Sequence, residues 1–456
     1  MIMKPIQTFI INVEKRIERK QHSLEQFNNK PEFDVKIIKA VENKNGAVGL
    51  WRTIVHIIEH LTPDETDYIL ICEDDHQFTK EYNRSKLISD IEEAKRNGAD
   101  ILSGGVSWFG EALQLSSNLF WLHQFTGLQF TIIFKNFFRK ILETEFKDHD
   151  ITDRKIATLT DNKFLMYPFI SIQKEFGYSD VTAKNNTKGY VNKLFKDASI
   201  VLHKLAKIRG YYQEVPEDHI AIEEEYENIT IPTYIINRSD RPEQLQHISQ
   251  QFEHRNEFEV RIIEACQHTN KARDLWNSIL KVIHSAIQND DDVIIICTAD
   301  HEFTGNYRKA YLLKNIIEAH QQGLNLLLGG IGGFEQAVPV TKNRLWTDTF
   351  QRAQFMVIYK PFFQNILDEP FSDNDTADAK FSEMTSNKMV LYPFISVQKD
   401  FGYSGIANSD HEPGRKIPEH FEDSNLRLNT LTNADQKYKA MDIQMSNKTL
   451  MEHPGL

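Results

Sequence analysis

The 456-residue chain is poor in cysteine and in long apolar runs. It contains only 3 Cys, at Cys72, Cys266 and Cys297, which excludes a disulfide scaffold and favours a reducing compartment. No stretch approaches the roughly 20 consecutive apolar residues that a membrane-spanning helix needs, and the apolar run near residue 10 is too short for a secretory signal. The sequence therefore predicts a soluble, cytoplasmic protein.

Positive charge is also in short supply. Lys and Arg total 53 against 65 Asp and Glu, which leaves a formal net charge of −12. A nonspecific nucleic-acid binder normally carries a basic face, so no nucleic-acid partner is expected. Hydrophobic residues nevertheless make up 40% of the chain and aromatic residues 11%. That composition supports large buried cores, and the length favours two or three domains over one.

The most informative feature that is present is an internal repeat with an offset of 225 residues. Residues 167–179 read YPFISIQKEFGYS and residues 392–404 read YPFISVQKDFGYS, so eleven of thirteen positions are identical. The same offset maps the acidic segment CEDDHQF at 72–78 onto CTADHEF at 297–303. Solenoid repeats are far shorter, so the repeat indicates two whole domains.

Each half of the chain alternates short apolar strands with amphipathic helices. TFIINV and DYILIC in the first half are β-branched runs typical of buried strands, and PTYIIN and DVIIIC repeat them in the second. This order predicts an α/β fold of two tandem Rossmann-like domains with mostly parallel central sheets. We predict domains over residues 1–228 and 229–456, with a poorly packed polar tail from about residue 406.

A cluster of three carboxylates directly follows the predicted strand DYILIC. Glu73, Asp74 and Asp75 repel one another, so a bound cation stabilises them. Oxygen ligands of this kind suit Mg²⁺ or Mn²⁺, whose coordination substrate phosphates complete. In α/β sheets, ligands bind beyond the carboxyl ends of the strands, where this cluster lies. The alternative is a solvated acidic turn or a helix cap.

Five segments of the first half resemble a known family. IINVEKRIER, GAVGLW, ILICEDDHQF, TGLQFTIIFKNFFRKIL and YPFISIQKEFGYSDV are similar, in this order, to segments of glycosyltransferase family 25, which includes lipooligosaccharide and collagen galactosyltransferases. The resemblance covers roughly residues 7–182 and, more weakly, 232–405. It implies a GT-A fold in tandem duplication, a nucleotide-sugar donor (usually a UDP-sugar), a divalent metal, Mn²⁺ or Mg²⁺, and inversion at the sugar carbon. The acceptor would be a hydroxyl on a glycan, a peptide or a small molecule.

The family pattern also suggests roles for single residues of the first half. By resemblance, Asp75 ligates the metal and Glu73 assists. The candidate residues for binding the nucleotide and the sugar are Asn12, Arg16, Arg19, Glu73, Asp74, Gly104, Gly127 and Gln129. An exposed cation on the first helix explains Arg19 equally well, and a tight turn or a strand bulge explains the two glycines nearly as well.

Inverting transfer needs a general base that takes the proton of the acceptor hydroxyl. The segment FKDHDITDRK offers Asp150 and Asp153, of which we favour Asp150, and Asp180 is a third candidate. Asp150 and Asp153 recur at Asp375 and Asp378. Helix capping also explains this recurrence.

The second half departs from the first where the chemistry is expected. Thr298 and Ala299 replace Glu73 and Asp74, whereas the apolar segments barely change. We therefore expect a hexosyltransferase whose first domain is catalytic and whose second domain is degenerate or structural. One alternative is a non-catalytic protein that binds carbohydrate or a partner and is built from two degenerate transferase domains. Another is a nucleotidyltransferase, which also uses carboxylates at strand ends.

Overall fold

The chain divides into two compact units, each built around one eight-stranded sheet. The computed structural model describes residues 4–178, 183–213, 226, 228–268, 270–402 and 415–452. The first unit comprises Met1–Lys207 and Asn433–Leu456, and the second comprises Ile208–Thr432.

The first unit contains twelve strands and six α-helices among the described residues. The strands are β1 (Ile6–Asn12), β2 (Phe33–Lys39), β3 (Tyr68–Glu73), β4 (His76–Phe78), β5 (Ile101–Ser103), β6 (Trp108–Phe109), β7 (Ala112–Gln114), β8 (Leu119–Leu122), β9 (Phe125–Thr126), β10 (Phe130–Phe134), β11 (Lys163–Met166) and β12 (Ser171–Gln173). The helices are α1 (Ile17–Phe27), α2 (Gly46–His56), α3 (Arg84–Arg96), α4 (Lys135–Leu142), α5 (Thr152–Leu159) and α6 (Tyr190–Gln213), which runs on into the second unit from Ile208.

The main sheet of the first unit has the order β2-β1-β3-β10-β5-β11-β8-β7. Only β10 and β8 run against the other six strands, so the prediction of a mostly parallel sheet is confirmed. Consecutive residues of the central strands are buried: Phe9, Ile10, Leu70 and Ile71 are each at most 1% exposed. Because consecutive side chains of a strand point to opposite faces, both faces of the sheet are covered.

The parallel register of β1 and β3 creates the edge where the site lies. Ile10 lies beside Cys72 and Ile11 beside Glu73. Because both strands end at this level, the side chains that follow them emerge next to one another. The strand ends therefore bring residue 12 and residues 73–75 together, although about 60 positions separate them in the sequence.

The second unit repeats this architecture. Its strands are β13 (Ile231–Asn237), β14 (Phe258–Glu264), β15 (Val293–Thr298), β16 (His301–Phe303), β17 (Leu326–Leu328), β18 (Ala337–Pro339), β19 (Arg344–Thr347), β20 (Phe355–Tyr359), β21 (Lys388–Leu391) and β22 (Ser396–Gln398), and the main sheet has the equivalent order β14-β13-β15-β20-β17-β21-β19-β18. Its helices are α7 (Pro242–Phe252), α8 (Lys271–Gln288), α9 (Lys309–Gln321), α10 (Phe363–Asp368), α11 (Ala377–Met384) and α12 (Ile417–Glu452), which enters the first unit from Asn433. The predicted α/β fold of two tandem Rossmann-like domains is confirmed.

The expectation of a poorly packed polar tail is wrong for the described part of the carboxyl-terminal segment. The 36 residues of α12 form a continuous helix that buries Phe421 and Leu431. Within the first unit, the ring of Tyr438 lies edge-on against that of Phe164, with 5.6 Å between the ring centres. Apolar residues at helical spacing form a buried stripe that the polar composition conceals. No helix in the described ranges is long and apolar enough to cross a membrane.

Candidate functional site

A cavity of about 300 Å³ lies at the carboxyl ends of β1 and β3 in the first unit. Charged side chains of both signs line it: Lys15, Arg16, Arg19, Glu42, Glu73, Asp74, Asp75, Asp153, Lys174 and Glu175. Six of the predicted site residues are in this group, and Gly127 also lines the cavity. Open α/β sheets bind their ligands at this position.

Asp74 is held entirely by the protein. Its Oδ2 accepts a hydrogen bond from Asn12 Nδ2 at 2.9 Å, and its Oδ1 accepts one from Arg19 Nη1 at 3.2 Å. Arg16 Nη1 lies 3.9 Å from Oδ2, and Ser23 Oγ donates to the Asp74 carbonyl at 2.9 Å. Both carboxylate oxygens thus have protein partners, and Asp74 fixes the first helix against the end of β3. The structure places Asn12, which is 3% exposed, in this network and outside the cavity lining.

Arg19 is a buried connector and not an exposed cation of the first helix. The residue is 5% exposed. Its Nη2 donates to the Tyr178 carbonyl at 2.6 Å, and its guanidinium lies 4.4 Å from the centre of the Tyr178 ring and 4.8 Å from that of Phe176. Arg19 therefore joins the acidic cluster to the segment that forms the opposite wall of the cavity.

Unlike that of Asp74, the carboxylates of Asp75 and Glu73 remain available to a ligand. Asp75 Oδ2 lies 3.5 Å from Arg19 Nη1, whereas its buried Oδ1 has no hydrogen-bond partner among the described residues. Burial raises the pKa of Asp75 to about 7, although Arg19 opposes this shift. Burial also raises the pKa of Glu73 well above its usual value, and repulsion by Asp75, Asp74 and Asp153 adds to the effect. A cation at this position would relieve both carboxylates.

The donor atoms fit a divalent ion only if a ligand from outside the protein completes the site. In the described part of the chain, no group of three or more His, Cys, Asp or Glu side chains is placed to hold a metal ion. Mg²⁺ sites commonly use one or two carboxylates together with substrate phosphates. Glu73 and Asp75 meet that requirement, and Asp75 Oδ1 has no protein partner among the described residues with which an ion would have to compete.

His76 follows the cluster directly but is not a ligand candidate. It is fully buried, and its Nδ1 is 2.8 Å from Ser171 Oγ. Burial lowers the pKa of His76 to about 3, so the ring stays neutral. Its place among aromatic rings, with Phe78 and Phe130 at 4.4 and 5.2 Å between ring centres, makes it a core residue.

Asp153 is the predicted base that the structure brings to the cavity. Its Oδ2 accepts a hydrogen bond from the backbone N–H of Gly127 at 3.0 Å, and its Oδ1 accepts one from that of Arg154 at 2.7 Å. Burial raises its pKa despite these two donors. The residue holds the Gly127 loop in place and faces the acidic cluster.

Asp150, the favoured base in the sequence, does not line the cavity. Its Oδ2 accepts the backbone N–H of Lys147 at 2.8 Å and lies 3.0 Å from Lys155 Nζ. These contacts lower its pKa, which weakens it as a base. Asp375 caps the loop before α11 in the same way, through the N–H of Ser372 at 2.7 Å. Asp180 lies outside the described residues.

The paired glycines after β5 have a packing role. A Cβ on Gly104 would lie 2.6 Å from the ring of Phe130, and one on Gly105 would lie 1.9 Å from the Ser171 carbonyl oxygen. Any larger residue would push β12 away from β5. Gly104, which the sequence suggested as a binding residue, does not line the cavity.

Gly127 and Gln129 differ in whether they line the cavity. Gly127 lines the cavity and has a φ of +109°, which an L side chain rarely adopts. Gln129 is fully buried behind it, donates from Nε2 to the Gly105 carbonyl at 2.7 Å and does not line the cavity. Gln129 therefore supports the loop from behind.

Among the lining residues that were not anticipated from the sequence are Lys15, Lys174 and Tyr178. Two of them supply positive charge opposite the acidic cluster, and Tyr178 supplies a 41% exposed aromatic ring. The sequence offered one indication for Lys15: the second half has Asp240 at the equivalent position, so the two halves differ there in charge. Lys174 and Tyr178 lie within the segment that is nearly identical in the two halves, so a comparison of the halves does not single them out.

Comparison with known proteins gives no family assignment. No protein-family model matches the chain, and no curated protein matches it either. Similar solved structures include A197 from STIV, at 15% identity over 38% of this chain and 87% of that one with a TM-score of 0.27. They also include UDP-glucose pyrophosphorylase, apo at 12% identity and with UDP-glucose at 13%, each over 44% of this chain and 81% of the other with a TM-score of 0.26. At such TM-scores the likeness carries no argument about function.

Proposed function

We propose that the first unit is the catalytic domain of a metal-dependent inverting glycosyltransferase of the family 25 type. It would transfer a hexose from a nucleotide sugar, a UDP-sugar, to a hydroxyl group of a glycan, a peptide or a small molecule. The observation that carries this proposal is the buried, unpartnered Oδ1 of Asp75 in the wall of a cavity at the sheet edge. Burying a carboxylate oxygen without a partner is unfavourable, and a cation bound at Asp75 would relieve that cost.

The charge distribution in the cavity supports a nucleotide diphosphate with a divalent ion. Glu73 and Asp75 form a negative side, and the cations Lys15, Arg16 and Lys174 line the same cavity. Arg and Lys side chains are the usual partners of phosphate oxygens. A bound Mn²⁺ or Mg²⁺, held by Asp75 and Glu73, would supply charge neutralisation for the departing diphosphate.

We assign the general-base role to Asp153. It lines the cavity, and burial raises its pKa, so it binds a proton more readily than an exposed aspartate. Its two backbone hydrogen bonds fix the carboxylate in position beside the Gly127 loop. In this proposal, Asp150 caps the loop before α5.

The second unit is proposed to be structural. Asp300, which stands at the position of Asp75, has a neutral partner at each oxygen: Thr298 Oγ1, which also contacts Gln354 Oε1, lies 2.6 Å from Oδ1, and Gln398 Nε2 donates to Oδ2 at 2.8 Å. Neutral protein donors thus satisfy the carboxylate that would otherwise hold an ion. A non-catalytic protein that binds carbohydrate or a partner is the second candidate for the whole chain, and the neutral partners of Asp300 in the second unit favour it.

The test is hydrolysis of UDP-sugars in Mn²⁺ by the full chain, with calorimetry of UDP binding in parallel. We expect Asp75→Ala to lower turnover by about 100-fold or more and to abolish the Mn²⁺ dependence of UDP binding. Asp300→Ala is the matched control in the second unit and should behave as the wild type. Equal turnover in the wild type and Asp75→Ala contradicts the proposal. Saccharide binding without donor turnover supports the second candidate.

The role of Asp153 has its own test. Asp153→Asn keeps an oxygen for the Gly127 N–H but removes the basic carboxylate, so transfer should fall by about 100-fold or more while UDP affinity is unchanged. Asp378→Asn, which alters the equivalent bond to the Arg352 N–H, is the control. Unchanged transfer in Asp153→Asn would make Asp153 a loop anchor only.

A further inference from the structure

Trp108 is the one exposed tryptophan of the chain. Its exposed fraction is 48%, whereas the other four tryptophans are each at most 4% exposed. An indole carries a large apolar surface, and leaving half of it in water forgoes a stabilisation of the kind that the other four provide. An exposed aromatic ring of this size calls for an explanation outside the core.

Trp108 lies next in the chain to a residue that lines the cavity. It belongs to β6 and lies directly opposite Thr126 of β9. Its chain neighbour Ser107 lines the cavity, as does Gly127, the residue after Thr126. Trp108 and Thr126 are not among the lining residues themselves, but each is the chain neighbour of a residue that is.

Hydroxyl groups accompany the ring. Ser107 Oγ and Thr126 Oγ1 are 3.0 Å apart, and Ser107 Oγ is also 3.3 Å from the Thr126 carbonyl oxygen. Each hydroxyl has two lone pairs and one proton, so the pair retains acceptor capacity after these contacts. An apolar ring next to polar acceptors matches a pyranose, which has an apolar C–H face and a rim of hydroxyl donors.

The second unit lacks the whole arrangement. At the positions of Ser107, Trp108 and Thr126 it carries Gly332, Gly333 and Gln351. The Arg352 side chain covers Gly332, where an added Cβ would lie 2.7 Å from Arg352 Cδ. A packing requirement of the fold would apply to both units. The second unit instead lacks the indole together with the carboxylates of Glu73 and Asp74, which links the indole to the site.

We propose that Trp108 stacks on a pyranose ring of a carbohydrate acceptor, with Ser107 and Thr126 accepting hydrogen bonds from its hydroxyl groups. This inference rests on the proposed function and narrows its acceptor to a saccharide. It also assigns the donor and the acceptor to different parts of the opening: the nucleotide lies at the acidic cluster, and the saccharide lies on the β6–β9 ribbon.

The experiment measures binding of the full chain to immobilised oligosaccharides of galactose, glucose, mannose and N-acetylglucosamine, followed by affinity measurement for each one bound. We expect Trp108→Ala to bind about tenfold more weakly or not at all, and Trp108→Phe to stay within about threefold of the wild type. Tyr211→Ala, at an aromatic residue that is 56% exposed outside this ribbon, is the control and should match the wild type. Thermal melting checks that the variants fold.

Calorimetry with UDP and Mn²⁺ separates this inference from the proposed function. We expect Trp108→Ala to bind UDP in Mn²⁺ as the wild type does, because Trp108 is not among the residues that line the cavity. Saccharide binding that is unchanged in Trp108→Ala overturns the inference, as does a wild type that binds none of the saccharides. Loss of UDP binding in Trp108→Ala also overturns it, because the ring would then hold the nucleotide. If the wild type turns over no UDP-sugar yet its saccharide binding depends on Trp108, the enzyme proposal fails and the saccharide site stands.

Discussion

The two units share one strand order and differ at the strand ends, so each serves as a control for the other. In the first unit, the buried Oδ1 of Asp75 has no partner in the part of the chain that the structure describes. In the second, both oxygens of Asp300 are satisfied by neutral side chains. The carboxylate in the turn after the equivalent strand thus has, among the described residues, a free oxygen in one unit and two neutral partners in the other. The fold alone does not require the open form, which is why we attribute it to a ligand.

The second unit lacks both members of a buried ion pair that the first unit contains. Gln244 and Ala299 stand where Arg19 and Asp74 do, and all four residues are at most 8% exposed. Removing only one member of a buried ion pair leaves an uncompensated charge, whereas replacing both with neutral residues is often tolerated. The second unit therefore shows one stable way to dismantle this network.

The largest effect expected from the comparison is on stability. Arg19→Gln should lower the free energy of unfolding of the first unit by about 3–5 kcal/mol, because Asp74 stays buried without its main cation. The double variant Arg19→Gln/Asp74→Ala copies the second unit and should recover most of this loss. Urea unfolding curves of the wild type, the single variant and the double variant measure both values. A double variant that is less stable than the single one would show that the pair is not a unit.

A second prediction concerns a residue that the two units share. His301 is fully buried, its Nδ1 lies 2.7 Å from Ser396 Oγ, and the rings of Phe303 and Phe355 are 4.3 and 5.3 Å away between ring centres. Burial, reinforced by His247 and Arg255, lowers its pKa to about 3.

Because the folded pKa of His301 is below the unfolded value of about 6.5, the unfolded chain binds the extra proton between these values. The stability contributed by the neutral ring is fully present above about pH 6.5 and falls by about 1.4 kcal/mol per pH unit down to about pH 3. In His301→Asn, the unfolding free energy of the second unit should fall less steeply across this window. Parallel curves for the wild type and the variant would contradict the shift.

The sequence predicts the scaffold better than the site because the two depend on different kinds of information. The strands ending at Asn12 and Glu73 follow from apolar runs, and the duplication follows from the 225-residue offset. The partners of a carboxylate depend on side-chain directions that no local pattern encodes. The sequence thus grouped Asp74 with the residues that bind the nucleotide and the sugar, and the structure shows that Asn12 and Arg19 donate hydrogen bonds to its carboxylate. The joint change to Gln244 and Ala299 was visible in the aligned halves and could have identified the pair.

Where the structure differs from an expectation based on the sequence, each difference has its own physical reason. Asp150 and Asp153 look alike in FKDHDITDRK, yet the start of α5 turns only Asp153 toward the cavity, while Lys147 and Lys155 engage Asp150. Gly104 looks like a binding glycine, but the missing side chain makes room for Phe130. The long helix α12 was missed because its apolar residues are sparse and only their spacing shows the buried stripe.

The smallest predicted effect comes from a variant that copies a helix cap of the first unit into the second. Asn83 caps α3 by accepting the N–H groups of Ser85 at 2.9 Å and Lys86 at 3.2 Å. Arg308 stands at the equivalent position before α9 with nearly the same backbone angles, φ −145° and ψ 136° against −146° and 133°, but its side chain makes no cap hydrogen bond.

Arg308→Asn should therefore raise the free energy of unfolding of the second unit by about 1 kcal/mol, since the backbone is already in the capping conformation. The gain is set against the bonds from Arg308 Nη1 to the carbonyls of Gly305 and Tyr307, which the variant gives up at a solvent-exposed position. Asn83→Ala is the reciprocal control and should lower the stability of the first unit by a similar amount. Urea unfolding measures both. If Arg308→Asn does not change the free energy of unfolding while Asn83→Ala lowers it, the two hydrogen bonds of the Arg308 guanidinium stabilise the second unit as much as the cap would. The second unit would then begin the same helix with a different stabilising interaction.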